Sequence, residues 1–362
     1  MAFSFKKIFS GANGNTPTRS SMAVGIDIGG SSVKVVELED IEKAIALRTY
    51  GELQLGPYEG KSLGEIVTLS EQHRVEAVTD VLREAGVKGR SGALAMPLSS
   101  SFLTVITLPI LPNSSDDLAT RIPVEARKYV PLPLSEVTLD WTEIPTAPTA
   151  NNMHEVMLAA VENNALEEYR SLLMNIGMTL QPAEIEVFSL IRSVWREGDT
   201  TLAIVDIGAR AAKLYLVRQG NLERLHRAGQ GGYEITRRVS ETLSIPFEEA
   251  ENAKRSYDRA EEKGAGIYKI TTTVVDGSLS EFRRMIEQYE SRTGAAIGRI
   301  VLSGGVFTGP YMQEFAQDRL GRQVELANPF GKVAYPAFLE DTLRQIGPSF
   351  GVALGAALRT LQ

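Results

Sequence analysis

Two aspartates of this chain, Asp27 and Asp206, each stand near the end of an apolar run, directly before an Ile-Gly pair. An ionised carboxylate is costly in such a run unless it has a partner, so both positions call for an explanation. After Ile28 comes a run of small residues, namely Gly29, Gly30, Ser31 and Ser32. A turn of this kind presents backbone N–H groups and hydroxyls to an anion, and the neighbouring carboxylate can hold hydrated Mg²⁺. The pattern therefore indicates a clamp for nucleotide phosphates, although an ordinary hairpin would also explain a single copy.

The stretch occurs twice. Leu202–Val217 aligns without a gap on the first copy, so that Asp206 falls on Asp27, Gly208 on Gly29 and Lys213 on Lys34. Repetition of a strand, an Asp-Ile-Gly turn and a second strand predicts two related lobes, whose turns face each other across a cleft that can hold a polyphosphate.

Composition excludes several classes of function. The chain has 362 residues, which is long enough for two or more domains. Its net charge of −7 gives no excess of basic residues that would bind nucleic acid. Cysteine is absent, and the three histidines lie far apart in the sequence, which argues against thiol chemistry, a zinc site or a histidine triad. Neither a signal peptide nor a membrane span is recognisable, so we expect a cytoplasmic protein.

The clamps must be positioned by strands at about 22–28 and 33–38, with a helix at about 71–85 behind them. A change of pattern near residue 91 predicts a small α+β module inserted into the first lobe, of the kind that usually carries partner recognition. The predicted division is a disordered tail at 1–21, a first lobe at 22–90, the inserted module at 91–177, a return to the first lobe at 178–198, a second lobe at 199–345 with a helical part at 233–295, and a C-terminal helix at 346–362 that packs on the core.

Three further groups in the chain could contact a nucleotide. Gly231 and Gly232 precede a predicted helix, and Gly304 and Gly305 end a buried-looking strand, where backbone can approach a flat ring or a phosphate. Glu251 and Lys254 lie on one face of a helix predicted at 247–257, a spacing that a surface ion pair explains equally well. A final helix segment is predicted at 350–361, and a long amphipathic helix at 279–292.

Glu184 and Glu186 stand just before a helix predicted at 188–195. Carboxylates at a helix N-terminus are favourable for electrostatic reasons alone. The alternative is that Glu186 acts in catalysis by orienting a water toward the terminal phosphate.

Taken in order, these motifs are similar to those of the superfamily of actin, heat-shock chaperones and sugar kinases. The resemblance implies a mixed α/β, actin-like or ribonuclease H-like two-lobed ATPase fold with a small inserted α+β domain. Three details resemble the PilM family of type IV pilus assembly proteins, which is related to FtsA. They are the sequence GSSVKVVEL, the sequence AEIEVFSLIRS before the second lobe, and the position of the insertion.

The resemblance implies roles for the motif residues. Asp27 and Asp206 would hold Mg²⁺ mainly through water, and Glu251 and Lys254 would contact the adenosine. The phosphates and sugar of ATP would be bound by the remaining members of the set, Gly29, Gly30, Ser31, Ser32, Lys34, Gly208, Gly231, Gly232, Gly304 and Gly305.

The resemblance also implies partners. A PilM-like protein binds ATP and the short cytoplasmic N-terminal peptide of a PilN-like inner-membrane protein, linking the pilus assembly motor complex to the envelope, with self-association possible. It would lie at the cytoplasmic face of the inner membrane and serve pilus biogenesis and twitching motility. This chain departs from the pattern at Arg210, Ala211 and Ala212, where relatives often place small hydroxyl residues, and at Glu184, where we expect an aspartate. The departure in the second turn weakens the case for fast hydrolysis, and we expect ATP binding with weak or no hydrolysis.

Two other functions compete with this interpretation. A small-molecule kinase of the same superfamily would need an additional carboxylate base and a sugar pocket, which the sequence does not display. An FtsA-like cell-division filament protein would carry a linker and an amphipathic membrane helix after its last core helix, whereas this chain stops at Gln362 directly after that helix.

Overall fold

A computed structural model describes residues 21–41, 44–111, 117–144, 153–181 and 183–361. The predicted N-terminal tail lies almost entirely outside these residues. The first lobe is built on a sheet whose strands are β1 (Met22–Ile28), β2 (Ser32–Ile41), β3 (Ala44–Gln54), β4 (Ser91–Met96), β8 (Thr179–Leu180) and β9 (Glu184–Ile185), with helix α1 (Glu71–Glu84) between β3 and β4. Strands β1, β2 and β3 form an antiparallel meander, and β4 lies parallel to β1.

An inserted sheet follows β4, with strands β5 (Ser101–Pro109), β6 (Val137–Glu143) and β7 (Met153–Glu162) and helices α2 (Leu118–Ala126) and α3 (Asn163–Asn175). Its strands are all antiparallel, with β7 in the middle. The structure corrects the predicted start of the inserted module at residue 91. Because Ser91–Met96 pairs with β1, this strand belongs to the sheet of the first lobe. The other predicted boundaries stay predictions.

The second lobe repeats the topology of the first. Its strands are β10 (Thr201–Ile207), β11 (Ala212–Arg218), β12 (Asn221–Ala228), β13 (Arg299–Ser303) and β14 (Glu325–Leu326). Again three strands form an antiparallel meander, and β13 runs parallel to β10. The register repeats as well, since Asp27 pairs across the hairpin with Lys34 and Asp206 pairs with Lys213. The predicted duplication is confirmed at the level of strand pairing.

The remaining helices are α4 (Glu186–Val194), α5 (Gly232–Leu243), α6 (Phe247–Arg255), α7 (Glu262–Thr293), α8 (Met312–Leu320) and α9 (Glu340–Leu361). The prediction for α7 was wrong in length, because the helix begins at Glu262 rather than near Leu279. Glycine and β-branched threonine weaken helix propensity in its first half, but burial of Ile267, Thr271 and Val275 overrides that preference.

Helix α9 also begins earlier than the predicted residue 350 and continues through Pro348. Proline cannot donate a hydrogen bond, and it normally breaks a helix interior. Here the Pro348 carbonyl bonds to groups outside the helix. It accepts hydrogen bonds from the Gly304 N–H at 2.7 Å and the Ser303 hydroxyl at 3.1 Å. The end of strand β13 is thereby tied to the last helix.

Glycines allow the last helix to pack against backbone. On α9, a Cβ at Gly355 would overlap the Ser189 carbonyl of α4, and one at Gly351 would press on Leu190. On the other side, a Cβ at Gly25 of β1 would overlap the Ala353 carbonyl of α9. We call Gly25, Gly351 and Gly355 the glycine seam. It seats α9 between the first sheet and α4, as the sequence prediction of a helix packed on the core requires.

No helix within the described ranges combines the length and the apolar character needed to cross a bilayer.

Candidate functional site

A cleft of about 670 Å³ lies between the two lobes. It collects every predicted site residue except one, namely Asp27, Gly29, Gly30, Ser31, Ser32, Lys34, Glu186, Asp206, Gly208, Gly232, Glu251, Lys254, Gly304 and Gly305. The exception is Gly231, which lies behind the wall. A Cβ there would overlap the backbone of Gly208 and Ala209, so Gly231 lets the loop before α5 pack against the second turn.

The two hairpin turns have matching geometry. The Gly29 N–H donates to the Ser32 carbonyl at 2.9 Å, and the Gly208 N–H donates to the Ala211 carbonyl at 3.2 Å. Each hydrogen bond closes a two-residue tip at equivalent positions of the repeat. A Cβ built at Gly208 or Gly305 meets no atom within 4 Å, so the backbone at these positions borders open space. The glycines thus leave room for a ligand against the backbone.

The carboxylate of Asp27 has no hydrogen-bond or ion-pair partner within the described part of the chain, although Asp27 lines the cleft. Burial raises the pKa of its carboxyl from 3.8 to about 6, while the nearby Lys34 opposes the rise and Glu186 adds to it. A partly buried carboxylate without a partner is the arrangement that a hydrated cation would relieve.

The raised pKa of Asp27 predicts a pH-dependent gain in stability for Asp27→Asn. The folded protein binds this proton more tightly than the unfolded chain, so the free energy of unfolding falls as the pH rises from 3.8 to about 6 and is level above that range. Without nucleotide, we expect the variant to exceed the wild-type free energy of unfolding by up to about 3 kcal/mol near pH 8 and by about 1 kcal/mol near pH 4.5. Urea titrations at both pH values measure this difference.

The exposed Asp318 offers a matched control for that experiment. Asp318→Asn should change the free energy of unfolding by less than about 0.5 kcal/mol, because water solvates this exposed side chain. If Asp27→Asn raised the free energy of unfolding equally at pH 4.5 and pH 8, the increase would not come from the ionisation of Asp27.

Asp206 differs from Asp27 in having a partner. Lys213 Nζ lies 3.4 Å from Asp206 Oδ2 and 2.8 Å from Glu186 Oε1. Burial raises the pKa of Asp206, and Lys213 opposes the rise. Burial would lower the pKa of Lys213, but Glu186 and Asp206 outweigh it and keep that pKa well above its ordinary value. The three groups form a charged triad that joins Glu186 of α4 to the second hairpin.

Glu186 also accepts a hydrogen bond from the Leu98 N–H at 3.3 Å, again through Oε1. Both contacts use the same oxygen, so Oε2 is the atom that could accept a hydrogen bond from a water in the cleft. The predicted water-positioning role of Glu186 stays a prediction.

Lys34, the counterpart of Lys213, turns toward its own lobe. Its Nζ donates to the Ser32 hydroxyl at 2.6 Å and lies 3.1 Å from Glu52 Oε1. Burial acts to raise the pKa of Glu52, but Lys34 and Ser32 together hold it below its ordinary value. Sequence reasoning missed Glu52, although its place opposite Lys34 follows from the register of β2 and β3. It also missed Lys213 as a site residue, even though the repeat aligns it with Lys34.

Glu251 and Lys254 line the cleft but bind each other. Lys254 Nζ lies 2.5 Å from Glu251 Oε2, and the Thr236 hydroxyl donates to the same oxygen at 2.5 Å. Arg255 Nε donates to Glu251 Oε1 at 2.9 Å. Across the cleft, Gly64 adopts a positive φ of 81°, and a Cβ there would overlap the Glu251 carboxyl group. The two lobes therefore touch here, and contact of Glu251 and Lys254 with adenosine stays a prediction.

Glu184 is not part of the cleft lining. The residue is 2% exposed, and its carboxylate accepts two hydrogen bonds from Arg192 at 2.5 and 2.6 Å and a third from the Ser189 hydroxyl at 2.5 Å. Arg359 of α9 lies 3.4 Å away. Glu184 joins α4 to α9, so its departure from the expected aspartate concerns the packing of these helices.

In the described chain, no three acidic or histidine side chains lie close enough to hold a metal ion by themselves. Asp27 and Asp206 would therefore complete the shell of a Mg²⁺ ion only together with water and phosphate oxygens, as an oxygen-preferring ion with several retained waters requires. The residues present fit that mode of binding.

Comparison with known proteins identifies the family. The family model described as type IV pilus assembly protein PilM matches residues 25–361. This chain belongs to the PilM family. A solved structure titled as the PilM–PilN type IV pilus biogenesis complex superposes with a TM-score of 0.78 at 25% identity, covering 95% of this chain and 100% of that chain. The family match thus spans both lobes and the insertion.

Two further proteins are similar to this chain, one in sequence and one in fold. The cell division protein FtsA of Bacillus subtilis (strain 168) is 23% identical over 357 residues, covering 86% of this chain and 79% of FtsA. MreB 5 of Spiroplasma citri, solved bound to AMPPNP, superposes with a TM-score of 0.51 at 12% identity over 94% of this chain and 96% of that chain, a likeness of fold alone. The predicted mixed α/β actin-like fold is confirmed, and the chain is an actin-like type IV pilus assembly protein.

Proposed function

We propose that this protein binds Mg²⁺-ATP between its two lobes and binds the cytoplasmic N-terminal peptide of a PilN-like inner-membrane protein. Nucleotide binding is supported by the pair of matching Asp-Ile-Gly hairpins on opposite sides of one cleft. It is also supported by the carboxylate of Asp27, which has no partner among the described residues. Opposed backbone turns hold a polyphosphate from both sides, and Mg²⁺ would neutralise charge between the phosphates and the two aspartates.

The peptide part is supported by the family match and by a branch of the same cleft. This branch is the part of the cleft lined by side chains of the first lobe and of helix α3, among them the apolar Leu69, Met96, Leu98, Tyr169 and Leu172. A charged pair, Arg74 and Glu168 at 2.8 Å, spans α1 and α3 at this branch. A groove with apolar walls and a charged pair suits a short peptide that carries both apolar and charged side chains.

Two features favour binding without efficient hydrolysis. Arg210 occupies the tip of the second turn, where a small hydroxyl residue would leave space for a water. In addition, Glu186 is held by Lys213 at 2.8 Å, so it is not free to move with a substrate water. In this proposal ATP is a structural ligand that stabilises one arrangement of the lobes and of the groove.

Through a PilN-like partner the protein would act at the cytoplasmic face of the inner membrane, between the membrane components and the pilus assembly motor complex, and so in pilus biogenesis and twitching motility. Calorimetric titration of the purified protein with Mg²⁺-ATP, and then with a synthetic PilN-type N-terminal peptide with and without nucleotide, tests both parts. We expect both ligands to bind, with negligible phosphate release.

Other outcomes of that experiment would overturn the proposal. Absence of ATP binding would refute the nucleotide site. ATP binding without peptide binding, with phosphate released only after small alcohols or sugars are added, would favour a small-molecule kinase. Nucleotide-dependent filaments seen by sedimentation, again without peptide binding, would favour an FtsA-like role.

A further inference from the structure

The side chain of Arg210 crosses from the second lobe to the first. Arg210 is at the tip of the second hairpin turn, and its Nη2 donates to the Val67 carbonyl of the first lobe at 2.6 Å. On the way it passes over the first hairpin turn, where a Cβ at Gly30 would lie 2.7 Å from Arg210 Cγ and 2.9 Å from Arg210 Nε. One arginine thus bridges the two turns that are proposed to hold the phosphates.

The present partner of this guanidinium is a weak one. A backbone carbonyl is neutral, and it uses one of the five N–H donors of arginine. Burial lowers the pKa of Arg210, and the nearby positive charge of Arg227 lowers it further. Hydrogen bonds between arginine and an anionic phosphate are about twice as strong as those to a neutral acceptor. A terminal phosphate between the turns would therefore compete effectively with Val67 for Arg210.

The segment that Arg210 binds leads from the turn to the proposed peptide groove. The Val67 N–H donates to the Gly30 carbonyl at 3.1 Å, so Val67 is fixed to the tip of the first turn. Two residues later, Leu69 lies in the wall of the groove. Its carbonyl lies 3.5 Å from Arg74 Nη2, and Arg74 in turn pairs with Glu168 of α3 at 2.8 Å. A short, continuous series of contacts joins the guanidinium to the groove.

We propose that Arg210 binds the terminal phosphate of the nucleotide across the cleft, and that its exchange between this phosphate and the Val67 carbonyl makes the peptide groove sensitive to the difference between ATP and ADP. The proposal rests on the proposed function of the cleft. It assigns a binding role to a side chain that only the second turn has, since Ser31 stands at the equivalent position of the first turn.

The first test compares the affinities of Mg²⁺-ATP and Mg²⁺-ADP for the wild type, Arg210→Ala and Arg210→Lys by calorimetry. We expect the wild type to prefer ATP. Arg210→Ala should reduce that preference by on the order of tenfold or more, because a charge-assisted hydrogen bond to the terminal phosphate is lost. Arg210→Lys keeps the charge but not the planar fork, so its preference should be intermediate.

Arg284→Ala is the matched control, because it removes an arginine from the exposed face of α7, outside the cleft. It should leave the ratio of ATP to ADP affinity at the wild-type value. A wild type that binds no nucleotide would refute the proposed function itself. A wild type that binds ATP, together with an Arg210→Ala variant of unchanged ATP/ADP ratio, would overturn the Arg210 proposal and leave the proposed function standing.

The second test measures the affinity of the PilN-type peptide with ATP, with ADP and without nucleotide. If Arg210 makes the peptide groove sensitive to the nucleotide, the wild type binds the peptide with different affinities in ATP and in ADP. In Arg210→Ala this difference in affinity should disappear. Persistence of the full difference in the variant would show that the coupling runs through other residues, and the proposed exchange would be wrong.

Discussion

Replacing both clamp carboxylates, Asp27→Ala with Asp206→Ala, is expected to abolish Mg²⁺-ATP binding while the protein stays folded. The two side chains face one cleft from equivalent strand positions, and the expected Mg²⁺ shell relies on both of them. Each charge-assisted contact contributes about 1.5–3 kcal/mol, so losing two should weaken affinity by at least about 100-fold. Calorimetry measures the affinity, and circular dichroism confirms folding. The raised pKa values of both carboxyls also indicate that their removal relieves an unfavourable burial of charge.

A double control removes two aspartates from the surface, Asp318→Ala with Asp341→Ala, both of which are exposed. This control has the same change in net charge, and its ATP affinity should match that of the wild type. Wild-type ATP affinity in the Asp27 and Asp206 double variant would show that the nucleotide binds elsewhere.

The second large effect concerns stability rather than ligand binding. Arg192→Ala removes the arginine that pairs with Glu184 through two hydrogen bonds, in surroundings where the two side chains are only 11% and 3% exposed. The variant would leave a buried carboxylate whose nearest remaining cation is Arg359, at 3.4 Å. Breaking a buried pair from one side typically lowers the free energy of unfolding by about 3–5 kcal/mol, and we expect a loss in that range. Urea unfolding followed by circular dichroism measures it.

An exposed pair on α3 provides the comparison. Arg170 contacts Glu167 at 2.5 Å, but the two side chains are 39% and 69% exposed. Arg170→Ala should therefore change the free energy of unfolding by less than about 1 kcal/mol, because water solvates both charges. If Arg192→Ala and Arg170→Ala had equal effects, Glu184 would have to be solvated in the variant, and the structural role assigned to it here would be incorrect.

The repeated Asp-Ile-Gly motif made much of the cleft predictable. A gapless internal alignment implies matching strand register, and the structure places Asp27 and Asp206 at matching positions for that reason. The same alignment placed Lys213 on Lys34, but Lys213 was missed as a site residue, because its pairing with Glu186 depends on the position of α4 beside β11.

Contacts between the lobes could not be predicted in this way. The bond from Arg210 to Val67 joins residues 143 positions apart, and the approach of Gly64 to Glu251 depends on how the two sheets are set against each other. Local sequence carries no signal for such an arrangement. Helix lengths failed for a related reason, because the glycine and threonine content of α7 argues against a helix that burial in the second core stabilises.

The glycine seam has a consequence for how this chain can change over evolutionary time. A side chain added at Gly25 or Gly355 would meet backbone, which cannot rotate away as a flexible side chain can. Mutational tolerance should accordingly be low at Gly25 and Gly355, although neither of them lines the cleft. Descendants of such a chain can acquire new ligands and partners, provided that they keep a hydrogen atom in place of a side chain at these two positions.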